Sequence, residues 1–290
     1  MQIGFIGLGK MGGPMARNLA AAGHSVTGFD AAGVRIDGVA AAASAAEAAR
    51  ERDAVITMLP NGAILRAVYA EIVPAGRPGA VFVDCSTVDV ESARAAAAEA
   101  EASGLLAVDA PVSGGTGGAA SGSLTFMAGG APAAFEKARP LFEIMGARAV
   151  HCGGAGSGQA AKICNNMILG ISMIGVCEAF ALAGKLGLDP HSLYDVVSSS
   201  SGSCWSVNTY CPVPGVGPNS PADHDYRPGF AATLMLKDLD LSQQAAAAVD
   251  ASTPLGAHAA TLFSEFVAQD RESLDFSAIL PWLAARRHEP

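Results

Sequence analysis

The sequence has no Cys-x-x-Cys pair, no His-x-x-x-His spacing and no block of Lys and Arg. Each absence removes a class of function. Its cysteines, Cys85, Cys152, Cys164, Cys177, Cys204 and Cys211, are scattered, so reduced core thiols are expected rather than a disulfide framework. His24, His151, His191, His224, His258 and His288 are equally isolated, and no metal site is expected. A formal net charge of −9 with no basic stretch argues against a nucleic-acid surface and for a small-molecule partner. The chain opens on Met1-Gln2-Ile3-Gly4-Phe5-Ile6-Gly7, already a strand pattern with no leader before it, so a cytoplasmic protein is expected. The most apolar run, residues 167–177, stops at Glu178 and contains Gly170, Ser172 and Gly175; it reads as a buried helix, not a membrane span.

What is present is core material. Half of the 290 residues are hydrophobic, enough for one large or two modest domains. A short apolar strand over residues 2–7 runs into Gly7-Leu8-Gly9-Lys10-Met11-Gly12 and a helix over about residues 13–22. In that setting the three glycines serve different ends. Gly7 permits the tight turn, Gly9 lets backbone approach a pyrophosphate, and Gly12 lets helix and strand pack closely. A second strand, residues 25–29, ends in Asp30, where a ribose-binding acid belongs. A carboxylate there accepts from a ribose 2′-hydroxyl and repels a 2′-phosphate, which favours NAD over NADP.

Strands and helices then alternate, as a doubly wound parallel sheet of Rossmann type requires. Ser44 and Glu47 have capping-box spacing and start a helix expected to reach about Arg52. Strands are expected at residues 54–59, 80–84, 105–109, 124–128 and 148–152, with a helix after the loop Pro60-Asn61-Gly62 to about residue 72 and others at about 89–103 and 133–145. Ser86 and Thr87 fall at a strand's carboxyl end, where ligands of open α/β sheets collect. Asp109-Ala110-Pro111-Val112-Ser113-Gly114-Gly115 reads as a loop whose free N–H groups suit a carboxylate, and equally as a flexible glycine-rich turn.

The two halves meet at Gly156-Ser157-Gly158-Gln159-Ala160-Ala161-Lys162-Ile163-Cys164-Asn165-Asn166. A domain of residues 1–157 is expected before it and an all-helical one of residues 158–290 after it, joined by a long helix from Gln159 to about Lys185. Lys162 and Asn166 lie one turn apart on one face. A lysine in the first turn is disfavoured by the helix dipole, and that repulsion together with burial would lower its pKa toward the range of a proton-transfer group. A surface lysine beside an ordinary loop is the plain alternative. Asp189-Pro190 is expected to start another helix, and further ones are expected at about residues 232–250, 254–269 and 276–286, with an irregular segment over residues 198–228. Lys237 and Asp238, on the first of the last three helices, read in isolation as an exposed pair.

Taken together these motifs resemble the β-hydroxyacid dehydrogenases over nearly the whole chain. The likeness rests on residues 4–12, residues 109–115 and the Lys162 to Asn166 segment. The loop Cys204-Trp205-Ser206-Val207-Asn208-Thr209-Tyr210-Cys211-Pro212-Val213-Pro214-Gly215-Val216 resembles the members that act on 3-hydroxyisobutyrate. The resemblance implies NAD-dependent oxidation of that acid, with Lys162 as general acid/base and Asn166 orienting the substrate. It implies that Ser113, Gly114 and Gly115 hold the carboxylate, and that Gly7, Leu8, Gly9, Met11, Gly12, Asp30, Leu59, Pro60, Thr87 and Lys237 line the cofactor. Asp238 would support the site, Trp205 and Tyr210 would either close the methyl-bearing end of the substrate or pack the loop, and a homo-oligomer is expected. Asp240 and Ile64 depart from the family pattern, at positions where a glycine and a polar residue are common. Other short hydroxyacids or semialdehydes (3-hydroxypropionate, serine, tartronate semialdehyde) and a non-catalytic dinucleotide-binding module are the competing readings.

Overall fold

The structure is a computed structural model that describes residues 1–269 and 271–286; His288 and the end of the expected second domain lie outside them. The chain divides into two compact units, residues 1–162 and residues 163 onward. The division falls inside the long helix rather than in the glycine loop before it.

The first unit is one sheet with helices on both faces. Its strands are β1 (Gln2–Ile6), β2 (Ser25–Phe29), β3 (Ala40–Ala41), β4 (Ala54–Thr57), β5 (Val81–Asp84), β6 (Leu106–Asp109), β7 (Val112–Ser113), β8 (Leu124–Gly130) and β9 (Gly146–Gly153). Among the described residues they pair in the order 3-2-1-4-5-6-8-7, with β9 also on β8. The run from β3 to β6 is parallel, β8 is antiparallel to β6 and β7, and β9 returns parallel to β8. The strand order reverses between β1 and β4, which is where an open α/β sheet leaves a crevice at its carboxyl edge.

Helices α1 (Gly12–Ala21), α2 (Ala45–Ala49), α3 (Gly62–Ile72), α4 (Val90–Ala102), α5 (Gly115–Ser121) and α6 (Pro132–Met145) complete this unit. The period of two along the strands sorts the core. Ile3 and Phe5 of β1 and Val81 and Val83 of β5 join Met15, Leu19, Leu141 and Phe142 on one face. Ile6 and Phe82 point the other way, onto Leu65, Tyr69, Ile72 and Ala97. Each large side chain so buried contributes roughly 1.5–3 kcal/mol.

In the first unit three expectations need correction. Helix α2 stops at Ala49, because Arg50 turns extended (ψ 128°) ahead of a left-handed Glu51 (φ 56°), and the Glu47 carboxylate accepts from the Ala43 N–H so that only half of a capping box forms. The segment from Asp109 to Gly115 is not simply a loop: it contains β7 and opens α5, through Gly114 and Gly115 at φ 133° and 61°. Helix α7 begins at Ser157, two residues earlier than expected, and Lys162 therefore lies in its second turn.

Helix α7 (Ser157–Lys185) continues into the second unit, with α8 (Pro190–Ser199), α9 (Trp205–Asn208), α10 (Ala232–Ala248), α11 (Pro254–Val267) and α12 (Ile279–Ala285). At 29 residues α7 is long and apolar enough to cross a membrane by length and composition, a test that soluble core helices also pass. It is less buried than its sequence suggests. Only 39% of its most apolar stretch is covered within this chain, with Ile168 and Leu182 exposed. Met173, Ile174 and Cys177 pack with Met235, Leu239, Phe263, Phe266 and Trp282, while Val176 and Phe180 receive Val207, Cys211 and Val216.

The segment over residues 198–228 is accordingly more ordered than expected, holding α9 and a short 3₁₀ turn at Pro221–His224. Its anchor is Asp275. That buried carboxylate accepts hydrogen bonds from the Tyr210 hydroxyl, from the N–H groups of Gly229, Phe230 and Ser277, and from the Ser277 hydroxyl.

Candidate active site

The glycine turn after β1 is built as its spacing demands. Gly7 has φ 91°, and a Cβ there would meet the Met58 carbonyl oxygen at 2.2 Å, so the end of β1 lies directly against the end of β4. A Cβ on Gly12 would fall 1.9 Å from the Gly7 carbonyl oxygen. Gly9 differs: a Cβ there would meet nothing within 4 Å. The turn thus needs Gly7 and Gly12 for its own packing and leaves the space over Gly9 open, as a pyrophosphate approaching backbone N–H groups requires.

Asp30, at the end of β2, faces this turn. Its Oδ2 accepts from the Leu8 N–H at 2.7 Å and its Oδ1 from the Ala32 N–H at 2.8 Å. These residues fit an adenine dinucleotide, in which Asp30 would meet the ribose and the turn the pyrophosphate. Leu59, half-buried, and Pro60, exposed, follow β4, and half-buried Thr87 follows β5. The Leu59 N–H donates to the Ser86 hydroxyl at 2.7 Å, so the two loops are tied together.

Beneath them is a buried polar cluster that no sequence motif marks. Asp84 Oδ1 accepts from the hydroxyls of Thr57 and Ser86, while its Oδ2 is buried with no partner. Burial pushes the Asp84 carboxyl up to about 7, against the pull of those hydroxyls, and neighbouring Asp109 adds to the rise. Burial likewise raises Asp109, opposed by the N–H groups of Gln159 and Gly156 that donate to it. The Tyr69 hydroxyl is raised by the same desolvation and by Asp84. In sequence Asp84 is one acid at the end of one apolar strand; nothing there marks it as differing from Asp53.

Lys162 is 6% exposed and Asn166 2%, so the buried reading holds and the surface-lysine alternative does not. Helical spacing keeps them on one face of α7. The lysine lies one turn further into the helix than expected, and the Asp109 carboxylate sits on the N–H groups of Gly156 and Gln159 at the helix start.

In the second unit, Asn166 Nδ2 donates to Asp238 Oδ2, and its Oδ1 accepts from Asn165 at 2.9 Å. Asp238 is 4% exposed, with Lys237 Nζ 3.8 Å from its other oxygen, so this is no exposed surface pair. Tyr210 is stacked between Trp205 (4.8 Å) and Phe276 (5.4 Å), its hydroxyl engaged by Asp275. That is a packing role for Tyr210, and it leaves Trp205, 49% exposed, at the open end of the stack. Ser113, which ends β7, and Gly115, which opens α5, are half-buried, and Gly114 between them is exposed, all in the first unit. Asp240 is exposed and Ile64 39% exposed. Among the described residues no His, Cys, Asp and Glu cluster suits a metal.

The chain is similar to known proteins over nearly its whole length. Residues 2–154 match the family model described as the NAD binding domain of 6-phosphogluconate dehydrogenase, and residues 156–283 the one described as NAD-binding of NADP-dependent 3-hydroxyisobutyrate dehydrogenase. A solved structure of Mycobacterium tuberculosis 3-hydroxyisobutyrate dehydrogenase, described with L-serine, superposes with a TM-score of 0.94 at 50% identity, covering 98% of this chain and 99% of that one. The 3-hydroxyisobutyrate dehydrogenase of Pseudomonas aeruginosa is 48% identical, and the NAD-dependent L-serine dehydrogenase of the same organism 47% identical, each over 96% of both chains.

Two predictions follow the geometry. Gly9→Ala should keep the wild-type melting temperature and weaken NAD binding about tenfold or more, whereas Gly12→Ala should cost roughly 3 kcal/mol of stability through the clash with Gly7; thermal melts with and without NAD separate the two, and equal melting temperatures would refute the assignment. For Asp84, folded pKa above unfolded means that the stability of the neutral acid is full below pH 3.8, is lost as pH rises toward 7 and is flat beyond. That loss is at most about 4 kcal/mol. Asp84→Asn, isosteric and uncharged, should therefore lose less stability than wild type between pH 5 and pH 8 in denaturant titrations; parallel losses would mean that Asp84 is ionised throughout.

Proposed function

The chain belongs to the 3-hydroxyisobutyrate dehydrogenase family, an NAD-dependent oxidoreductase family, and from that premise we propose that it oxidises 3-hydroxyisobutyrate to methylmalonate semialdehyde with Lys162 as the proton acceptor. The observation that carries this reading is a buried lysine one helical turn before a buried asparagine, on the helix that leaves an NAD-type domain.

NAD, when bound, supplies the acceptor for the hydride of the hydroxymethyl carbon. The residues of the chain do the rest. Gly7, Leu8, Gly9, Met11, Gly12 and Asp30 hold the adenosine and pyrophosphate part, with Leu59, Pro60, Thr87 and Lys237 toward the nicotinamide part. Ser113, Gly114 and Gly115 offer backbone N–H groups to the substrate carboxylate. Asn166, fixed by Asp238, orients the hydroxyl. Neutral Lys162 takes the hydroxyl proton during oxidation and returns it to the carbonyl oxygen in reduction. A lysine ordinarily titrates near 10.4, so the neutral form gains with pH, and the oxidation rate rises toward alkaline pH.

A second substrate reading has a specific basis, because the relative named for L-serine is as similar as the one named for 3-hydroxyisobutyrate. The two substrates share the hydroxymethyl and carboxylate groups and differ in a methyl against an ammonium. Exposed Trp205 at the end of its aromatic stack supports the methyl. The cell context that fits is valine breakdown in the cytoplasm. The uncovered apolar side chains Ile168, Leu182 and Leu186 of α7 and its end support assembly with further copies of the chain.

NAD reduction measured with 3-hydroxyisobutyrate, L-serine, 3-hydroxypropionate and glycerate should show hydroxyisobutyrate leading by about tenfold or more in kcat/KM, and Lys162→Ala should lose about 10²–10⁴-fold. A lead for L-serine would move the substrate and keep the chemistry. NAD binding without turnover on any of them would favour a non-catalytic module. Sedimentation at micromolar concentration should show a dimer or tetramer, and a monomer would sink the assembly reading.

A further inference from the structure

Gln159 has no place in the chemistry above, yet it is fully buried and both polar atoms of its side chain are used. Its Oε1 accepts from the Val88 N–H at 3.1 Å, and its Nε2 donates to the Ser86 carbonyl oxygen at 2.7 Å. The two partners fix which end of the amide is which, since an N–H needs the oxygen and a carbonyl needs the nitrogen. Its backbone N–H donates to Asp109 Oδ2 at 2.9 Å. One residue thus grips both sides of Thr87 and the end of β6, and it does so one turn before Lys162 on the same helix.

The grip extends further through Ser86, whose hydroxyl receives the Leu59 N–H while its carbonyl receives Gln159. The Leu59 loop, the Thr87 loop and the first turn of α7 therefore share one hydrogen-bonded seam. Close approach is built in: a Cβ on Gly158 would lie 2.2 Å from the Met127 carbonyl oxygen and 2.5 Å from that of Asp109. No rigid-body slip of the helix start is possible without breaking several buried hydrogen bonds.

We infer that Gln159 is a positioning residue for hydride transfer: it holds the helix carrying Lys162 and the Leu59 and Thr87 loops in one frame, so that proton acceptor and cofactor-binding loops keep a fixed separation. The inference rests on the reading of Lys162 as the proton acceptor. Near-attack geometry is steep, and a shift of about 1 Å costs on the order of 10²-fold in rate. The seam is how this chain prevents that shift.

The test compares Gln159→Leu, which loses both side-chain bonds, with Gln159→Glu, which keeps an acceptor for Val88 and loses the donor to Ser86. With the best hydroxyacid of the panel, Gln159→Leu should lower kcat per active site about 10- to 100-fold, with KM for NAD changed less than about threefold. The deuterium isotope effect on kcat, read with substrate deuterated at the hydroxymethyl carbon, should rise, and Gln159→Glu should fall between. A lower melting temperature with unchanged kcat per active site and unchanged isotope effect would overturn the inference, leaving Gln159 a merely stabilising residue. Lys162→Ala, run alongside, separates the two failures: its full activity would overturn the lysine reading alone. Hydrogen exchange then still decides the seam, because Gln159→Leu must speed exchange at the Val88 and Leu59 amides about tenfold or more, and unchanged exchange overturns it.

Discussion

The Asp109 carboxylate, seated on the N–H groups of Gly156 and Gln159, is the contact on which the rest of the first unit's functional edge depends. It satisfies two donors that the start of a helix otherwise leaves open, and it does so from the end of β6, so the long helix starts in register with the sheet. The arrangement has an electrostatic cost. Burial raises Asp109, and Asp84 lies close enough for the two acids to feel each other. The backbone N–H groups offset it, much as a capping residue does within a single helix. The interior acid thus fixes the start of the long helix from the end of β6.

A division of labour among glycines runs along the same edge. Gly7, Gly12 and Gly158 are glycines because another backbone occupies the space of a side chain, whereas Gly9 is one although that space is open. The first kind serves the fold, and the second leaves room over the backbone. The spacing alone does not reveal the difference.

Much of this is legible in the sequence. Strand periodicity, the glycine turn and Asp30 mark the first domain, and the long apolar helix marks the second, because each is a local pattern with a fixed period or spacing. What stays hidden is non-local. The antiparallel β7–β8 pairing depends on Gly114 and Gly115 turning the chain, and the shortness of α2 on Arg50 turning extended. Burial of Asp238 depends on its neighbours on α7, and the order within residues 198–228 on Asp275, far along the chain. Gln159 marks the helix start in sequence, but its partners Ser86 and Val88 are brought to it only by the sheet.

The double use of Asp30 bears on any attempt to redesign cofactor choice. Its two oxygens already receive the Leu8 and Ala32 N–H groups, so the side chain that would read the ribose also pins the glycine turn in place. Exchanging it for a cationic residue to welcome a 2′-phosphate removes repulsion and, in the same stroke, orphans a donor inside the pyrophosphate turn. Neutral acceptors such as Ser or Asn at that position, with the positive charge supplied from a second position, would remove the repulsion and keep an acceptor for the loop. Cofactor engineering in this chain is therefore a two-residue problem.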